Sequence, residues 1–345
     1  MLQESVTHIN FTHSKLLISL VYIMDFITLN GTDLDVSRAC LGTMTFGSPA
    51  SEAQSQDILN YALDHGINFI DTANIYGHGA AEEILGRAFN GRRQQFILAS
   101  KAAFSMGEGP LDGGLSRCAM VKALEDSLRR LKTDYLDLYY LHQPDDKIPL
   151  EESLEVLDGM IRAGKVRYAA CSNYASWQVC QMQWIADKHK YRPIRIAQPM
   201  YNLLARGVEQ EFLPMAADLG VSILVYNPLA GGLLTGKHVA SQPANGSRFV
   251  KNQVYRDRYW NSEFLEAVDE LTTIASRAGR SLISMAFSWL LHHTPTSCVV
   301  VGASCVEQLE MNLTAIQEGP LSASTVEQCN VVWARLKGCT PQYNR

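Results

Sequence analysis

No two of the eight cysteines form a C-x-x-C pair, and their spacings are irregular. Paired thiols of the zinc-ribbon or dithiol redox kind are therefore excluded, and a 345-residue chain is not a short secreted disulfide scaffold. Cys40, Cys118, Cys171, Cys180, Cys298, Cys305, Cys329 and Cys339 are expected to be free thiols in a reducing cytosol. The apolar run LLISLVYIM at 16–24 falls far short of the roughly 20 residues that a spanning helix needs. Only Lys15 supplies basic charge before it and no A-x-A-like site follows, so it does not read as a signal peptide. Basic charge is not in excess: 30 Lys and Arg against 35 Asp and Glu leave a net charge of -5. Nucleic acid and anionic membrane are accordingly not expected as partners. The fingerprint G-x-G-x-x-G is missing where a doubly wound dinucleotide fold would place it, after a strand and before a helix. No metal site is expected.

What the chain does contain is a repeated unit. Short apolar and β-branched runs centre near Cys40, Phe69, Leu98, Leu138, Ala169, Ile196, Leu224 and Val300. Runs such as SILVY and CVVVG suit strands buried on both faces, as in parallel sheets. Amphipathic stretches alternate with them. Ser51 is placed to cap one that presents Ile58, Leu59, Ala62 and Leu63 and stops at Gly66. Ser116 opens another, with Val121, Leu124, Leu128 and Leu131 assigned to its apolar face, and 150–163 ends at Gly164. Most intervals are roughly 30 residues, the length of a βα unit, and eight such units predict a closed (β/α)8 barrel. The longest interval follows the seventh strand. Its Gly- and Ser-rich first part reads as a long loop and 262–293 as two helices, with a last helix over 322–337. Asn30-Gly31 predicts a two-residue hairpin ahead of the first barrel strand. Residues 1–23 are read as an extension of unknown role and 24–345 as one barrel domain.

Each strand candidate ends in a residue capable of chemistry: Gly42-Thr43-Met44, Asp71, Lys101, His142, Ser172-Asn173, Gln198, Tyr226 and Gly302-Ala303-Ser304. In a (β/α)8 barrel these ends converge at the C-terminal mouth, where active sites sit. One Asp at a strand end is unremarkable, and Asp71 with Lys101 alone is as readily a structural ion pair. Tyr76, on the loop after the second strand, changes the reading. A phenol with a free pKa near 10 is a reluctant acid, and a nearby ammonium lowers that value. Lys101 is the ammonium, Asp71 would orient it, and His142 would hydrogen-bond a substrate oxygen or relay a proton.

The segments LGTMTFG (41–47), INFIDTANIYGHGAAEEILGRAF (67–89), FILASK (96–101), YYLHQPD (139–145), CSNYASW (171–177), AQPMYNLL (197–204), YNPLAGGLLTGK (226–237) and VVGASCVEQLEMNL (300–313) together resemble the aldo-keto reductase family, in the family's order. The resemblance implies a catalytic tetrad of Asp71, Tyr76, Lys101 and His142, and NADP(H) as cofactor in preference to NAD(H). It implies that Ser172, Asn173 and Gln198 hold the nicotinamide carboxamide and that Tyr226 stacks on the ring. Gly42, Thr43, Met44, Asp71 and Asn227 would complete that end. Leu229, Gly231, Thr235 and Lys237 would fold over the pyrophosphate, and Gly302, Ser304, Gln308 and Asn312 would hold the adenosine. Many members have Arg at the position of Gln308 and Glu at that of Met311, so the 2′-phosphate contact falls to Ser304, Lys237 or Arg248. Gln308 is similar to the branch of potassium-channel β-subunits and bacterial oxidoreductases.

The expected function is hydride transfer between NADP(H) and an aldehyde or ketone, or the matching alcohol, in the cytoplasm. A cofactor-binding regulatory subunit that senses redox state is the alternative, and a non-redox barrel such as an aldolase using Lys101 is a third. Aromatics near Met44, Phe46, Phe104 and in 245–260 (Tyr255, Tyr259, Trp260) are the candidate substrate walls.

Overall fold

The computed structural model of the chain describes residues 24–89, 91–238 and 242–339. The expectation for residues 1–23 lies outside the described residues.

Among the described residues ten strands occur in order: β1 Phe26–Thr28, β2 Asp35–Ser37, β3 Ala39–Gly42, β4 Phe69–Asp71, β5 Ile97–Ala102, β6 Leu136–Leu141, β7 Val166–Ser172, β8 Ile196–Gln198, β9 Ser222–Val225 and β10 Cys298–Gly302. β3 to β10 pair in parallel around a closed barrel, with β10 against β3 completing the ring. The eight predicted strands are these eight. The helices are α1 Glu52–Asp64, α2 Ala80–Ala88, α3 Arg117–Leu131, α4 Leu150–Arg162, α5 Ser176–His189, α6 Phe212–Asp218, α7 Arg248–Lys251, α8 Gln253–Tyr259, α9 Ser262–Arg277, α10 Leu282–His293, α11 Val306–Ile316 and α12 Ala323–Lys337. None is long and apolar enough to cross a membrane among the described residues.

Strand alternation decides what fills the barrel. Successive residues of a strand point to opposite faces. Cys40, Phe69, Ala99, Leu138, Ala170, Ile196, Leu224 and Cys298 form one buried cluster inside the ring, together with Tyr140. Their odd neighbours, such as Leu41, Leu98, Tyr139 and Ala169, join the larger core between strands and helices. Two positions further along the inward-facing series stand Gly42, Asp71, Lys101, Ser172, Gln198 and Tyr226, four positions along stands Gly302, and His142 follows Tyr140 by two. The residues singled out at the strand ends therefore share the inner face at the upper rim because their spacing from the barrel core is even.

The lower end is closed by the hairpin β1–β2, whose Leu29, Leu34 and Val36 belong to the interior cluster. Asp33 beyond its turn takes both Nη2 contacts of Arg167, at 2.9 and 2.8 Å, and the hydroxyl of Tyr168 at 2.8 Å. The hairpin expected at Asn30-Gly31 is present as β1–β2, but its loop is longer than two residues. Asn30 and Gly31 form the centre of a turn closed by Thr32 N to Leu29 O, but the next cross-hairpin bond is Leu29 N to Leu34 O and the strand ladder starts at Thr28 and Asp35. The intervening residues are used to plug the barrel.

Ser51 caps as its sequence signal predicts, whereas Ser116 precedes α3 without a side-chain cap bond. Ser51 and Gln54 form a reciprocal capping box on α1, worth about 1 kcal/mol for the Ser cap. Gly66, with φ +82°, ends that helix in the left-handed region. On α3 the expected Leu124, Leu128 and Leu131 are buried, with Ala119, Met120 and Ser127 beside them, but Val121 is exposed. By helix phase Val121 lies about 20° from Leu128, but it stands nearly two turns nearer the start of the helix and is left uncovered there. The expected long loop after β9 is also corrected. It contains a 3-10 turn at Ala230–Thr235 and the helices α7 and α8, and the two helices expected over 262–293 are α9 and α10. All eight cysteines are free.

Candidate functional site

The site begins with two charges inside the barrel. Lys101 is fully buried and Asp71 nearly so. Burying an ammonium is costly unless it is paired and fully hydrogen-bonded. Lys101 Nζ meets Asp71 Oδ2 at 2.5 Å and Thr72 O at 2.9 Å, and the Tyr76 hydroxyl lies 3.4 Å away. The second Asp71 oxygen accepts from Gln198 Nε2 at 3.0 Å. Asp71 O receives both the amide and the hydroxyl of Thr43, tying β3's end to β4's.

Tyr76 reaches this pair from a 3-10 turn, Tyr76–Gly79. Gly77 and Gly79 have φ of +58° and +95°, so the chain reverses tightly enough to start α2 at once. The phenol is not held below its ordinary value, as the sequence reading expected of Lys101. Desolvation raises it, Lys101 lowers it and Asp71 raises it, and burial prevails. Lys101 itself is held above its ordinary value: burial works against the charge, while Asp71 and Tyr76 outweigh it.

His142 stands at the end of β6 with its ring 6.1 Å from that of Tyr76 and 4.7 Å from that of Phe104, edge-on to both. Burial, then Lys101, pushes its pKa well down, so the ring is neutral near pH 7. A neutral imidazole presents one donor and one acceptor. Its Nδ1 is buried without a partner. His238, His292 and His293 are also lowered, burial first in each case. In the unfolded chain these rings protonate near pH 6.5, while the folded chain resists protonation. The unfolded state thus binds more protons below that pH, and stability is expected to fall with acidification from pH 7 toward 5. Denaturant unfolding at a series of pH values checks this; constant stability across the window would contradict it.

The remaining rim residues form one connected set. Ser172 Oγ donates to Gln198 O at 2.9 Å. Asn173 Nδ2 donates to His142 O at 2.8 Å and to Ser172 Oγ at 3.2 Å, and its Oδ1 accepts from Tyr226 at 2.7 Å. Asn173 has φ +63°, which turns its amide back across the mouth. After β9 the backbone enters the left-handed region at Asn227 (+55°), Ala230 (+50°), Gly231 (+70°) and Gly232 (+107°). Asn227 Nδ2 is buried with no partner, a donor that awaits an acceptor. A Cβ on Gly232 would meet nothing within 4 Å, and one on Gly302 only Gly42 O at 4.0 Å, so backbone is open to close approach at both places. Ser304 offers its amide and hydroxyl to Gln308 Oε1, both at 3.0 Å, at the start of α11. Asn312 is buried one turn on. Thr235 Oγ1 donates to Gly232 O at 2.7 Å, Leu229 is partly buried, and Met44 and Lys237 are exposed. The unpartnered donor of Asn227 and the open backbone at Gly232 and Gly302 are features that fit the phosphate and polar groups of a dinucleotide.

Three candidate wall residues fall elsewhere. Phe46 and Tyr259 are buried in the core, and Trp260 packs on Phe249 and His238. Tyr255 does face the site: its hydroxyl meets Asn227 Oδ1 at 3.3 Å, and Arg248 lies over its ring at 4.7 Å. The space is closely used, since a Cβ on Gly231 would stand 2.6 Å from Tyr255 Cδ1. Gly231→Ala is expected to cost about 1–2 kcal/mol of unfolding free energy from left-handed strain alone. Denaturant unfolding would measure it, and wild-type stability would contradict it. Asn202 was missed by the sequence reading. It is wholly buried, and its Nδ2 donates to Asn227 O at 3.0 Å and Tyr259 Oη at 3.1 Å, binding the turn after β9 to α8. Its only sequence signal was its position shortly after a strand end.

Among the described residues no group of three His, Cys, Asp or Glu is placed to hold a metal. The aldo/keto reductase family profile matches residues 38–334. The chain is 35% identical to the uncharacterized oxidoreductase YrpG of Bacillus subtilis, over 92% of this chain and 99% of that one. It is also 35% identical to aflatoxin B1 aldehyde reductase member 2 of Rattus norvegicus, over 88% and 87%. A probable voltage-gated potassium channel subunit beta of Arabidopsis thaliana is likewise 35% identical, over 86% and 93%. With this coverage and the parallel barrel beneath it, the chain belongs to the aldo/keto reductase family, oxidoreductases that use nicotinamide cofactors.

Proposed function

We propose that the protein reduces aldehydes or ketones with NADPH, or oxidises the matching alcohols with NADP+, and that Tyr76 is the general acid and base. One observation carries this reading: a phenol within 3.4 Å of a buried ammonium, itself paired to a buried carboxylate, at the upper rim of the barrel. Bound NADPH supplies the hydride. Tyr76 holds the proton that the substrate oxygen takes up, and Lys101 stabilises the phenolate left behind. Asp71 keeps Lys101 charged and oriented. The neutral His142 hydrogen-bonds the same oxygen and orients it. Phe104, packed edge-on against His142, limits water around that ring.

Ser172, Asn173 and Gln198 would hold the carboxamide of the cofactor, and Tyr226 its ring. Gly42, Thr43 and Met44 lie beside that end. Asn227, Leu229, Gly231, Thr235 and Lys237 would take the pyrophosphate, and Gly302, Ser304, Gln308 and Asn312 the adenosine. NADP(H) is favoured over NAD(H), with Ser304, Lys237 or Arg248 meeting the 2′-phosphate.

The test is NADPH consumption with a panel of aldehydes and ketones, repeated with NADH. Turnover of at least one carbonyl with NADPH is expected. NADPH binding without turnover of any would support a second reading, a redox-reporting subunit, which rests on the likeness to the channel subunit.

A further inference from the structure

Glu82 is a carboxylate with no solvent exposure at all, outside the barrel mouth. Such groups survive only when paired. Its Oε1 accepts from Ser100 Oγ at 2.5 Å, and its Oε2 lies 2.7 Å from Arg130 Nε, on a side chain only 15% exposed. Three elements meet at this carboxylate: α2 carries it, β5 supplies Ser100 and α3 supplies Arg130. Tyr139 of β6 faces the same group, and its hydroxyl is buried without a partner. Burial, and then Glu82, holds that phenol above its ordinary value and therefore neutral.

The placement of Ser100 gives the cluster its meaning. Ser100 and Lys101 are adjacent on β5, so alternation sends one outward and the other inward. Glu82 lies in the first turn of α2, which continues directly from the turn bearing Tyr76. One segment thus grips β5 from outside through Glu82 and reaches the same strand from inside through Tyr76. The segment has little slack. A Cβ on Gly79, at the junction, would stand 2.9 Å from Arg130 Cδ. One on Gly86 would stand 2.1 Å from Arg130 O, so α2 is pressed onto α3.

We propose that Glu82 is a positioning residue that sets the separation between the Tyr76 hydroxyl and the Lys101 ammonium. The inference rests on the proposed acid–base role of Tyr76. A buried ion pair is weak evidence of stabilisation, since well-packed apolar residues often serve as well. It does fix geometry, because both partners must keep their places to remain paired. The separation it governs, 3.4 Å, is at the long limit of a hydrogen bond, so a small drift removes the contact. The groups facing Tyr76 across the mouth are Asp71, Lys101, His142, Tyr226 and Tyr255. Of these only Lys101 is a cation, and a loosened segment weakens its hold on the phenolate.

The experiment compares wild type with Glu82→Gln, Ser100→Ala and Tyr76→Phe in NADPH-dependent aldehyde reduction. Glu82→Gln is expected to lower kcat about tenfold or more, as misplacement of a catalytic group does. The alkaline limb of its kcat profile should move upward, because the phenol loses ammonium support. Cofactor affinity should stay within about twofold, since the partners of Glu82, Ser100 and Arg130, are not among the proposed cofactor contacts. Ser100→Ala leaves the ion pair intact and should shift the limb the same way by less. Should Glu82→Gln not fold, Ser100→Ala decides. A limb that does not move in the folded variants, with kcat unchanged and only thermal stability reduced, overturns the proposal. Wild-type turnover in Tyr76→Phe would instead overturn the acid–base reading, and the two failures are separable because the first leaves Tyr76→Phe inactive.

Discussion

Tyr76→Phe is expected to lower kcat for aldehyde reduction by about 100- to 10,000-fold, the range that one positioned general acid contributes. The substitution removes a single oxygen from a ring that keeps its packing. Lys101 retains Asp71 and Thr72 O as partners, so nothing buried is orphaned. The affinity for NADPH should therefore be near that of wild type, and the loss should fall on kcat and on kcat/KM alike. That pattern marks an interaction made only in the transition state. Stopped-flow turnover with fluorescence titration of NADPH checks both halves. A loss confined to KM would assign Tyr76 to binding.

Lys101→Met has the second large effect, and it is on folding as well as activity. It leaves Asp71, 2% exposed, with its Gln198 hydrogen bond but no counter-ion. Removing one partner of a buried pair costs about 3–5 kcal/mol. The double variant Lys101→Met with Asp71→Asn is expected to recover most of that stability, because no uncompensated charge remains, while activity stays absent. Chemical denaturation of wild type, Lys101→Met, Asp71→Asn and the double variant gives the coupling directly. Equal stability of wild type and Lys101→Met would contradict the burial of this pair.

The barrel and the strand-end rim were legible in the sequence for one reason. The residues that matter stand two or four places along each strand from an apolar inward residue, and alternation preserves that relation without knowledge of the fold. Asp71 after Phe69 and Lys101 after Ala99 are examples. Other features depend on partners distant in sequence. Val121 fits the apolar spacing of α3 and shares the phase of Leu128, yet it is exposed, because burial depends on which neighbouring element covers that turn of the helix. The direction of the Tyr76 pKa could not be read either. The sequence names the ammonium beside it but not the depth of the phenol, and desolvation outweighs Lys101. Glu82 sits inside the segment 67–89, between Tyr76 and the end of α2, but its meaning depends on Ser100 and Arg130, which only the packing of α2 on β5 and α3 brings to it. Asn202 is similar: an Asn after a strand is common, and its grip on Asn227 and Tyr259 emerges only in three dimensions.

The most direct measurement replaces Tyr76 with a ring-fluorinated tyrosine, whose phenol is a stronger acid, and follows the pH dependence of kcat for aldehyde reduction. If Tyr76 donates the proton, activity falls as the phenol ionises, and the alkaline limb moves down by the amount fluorination lowers the free phenol. A limb that stays where it is in wild type would place the proton on another group and contradict the account.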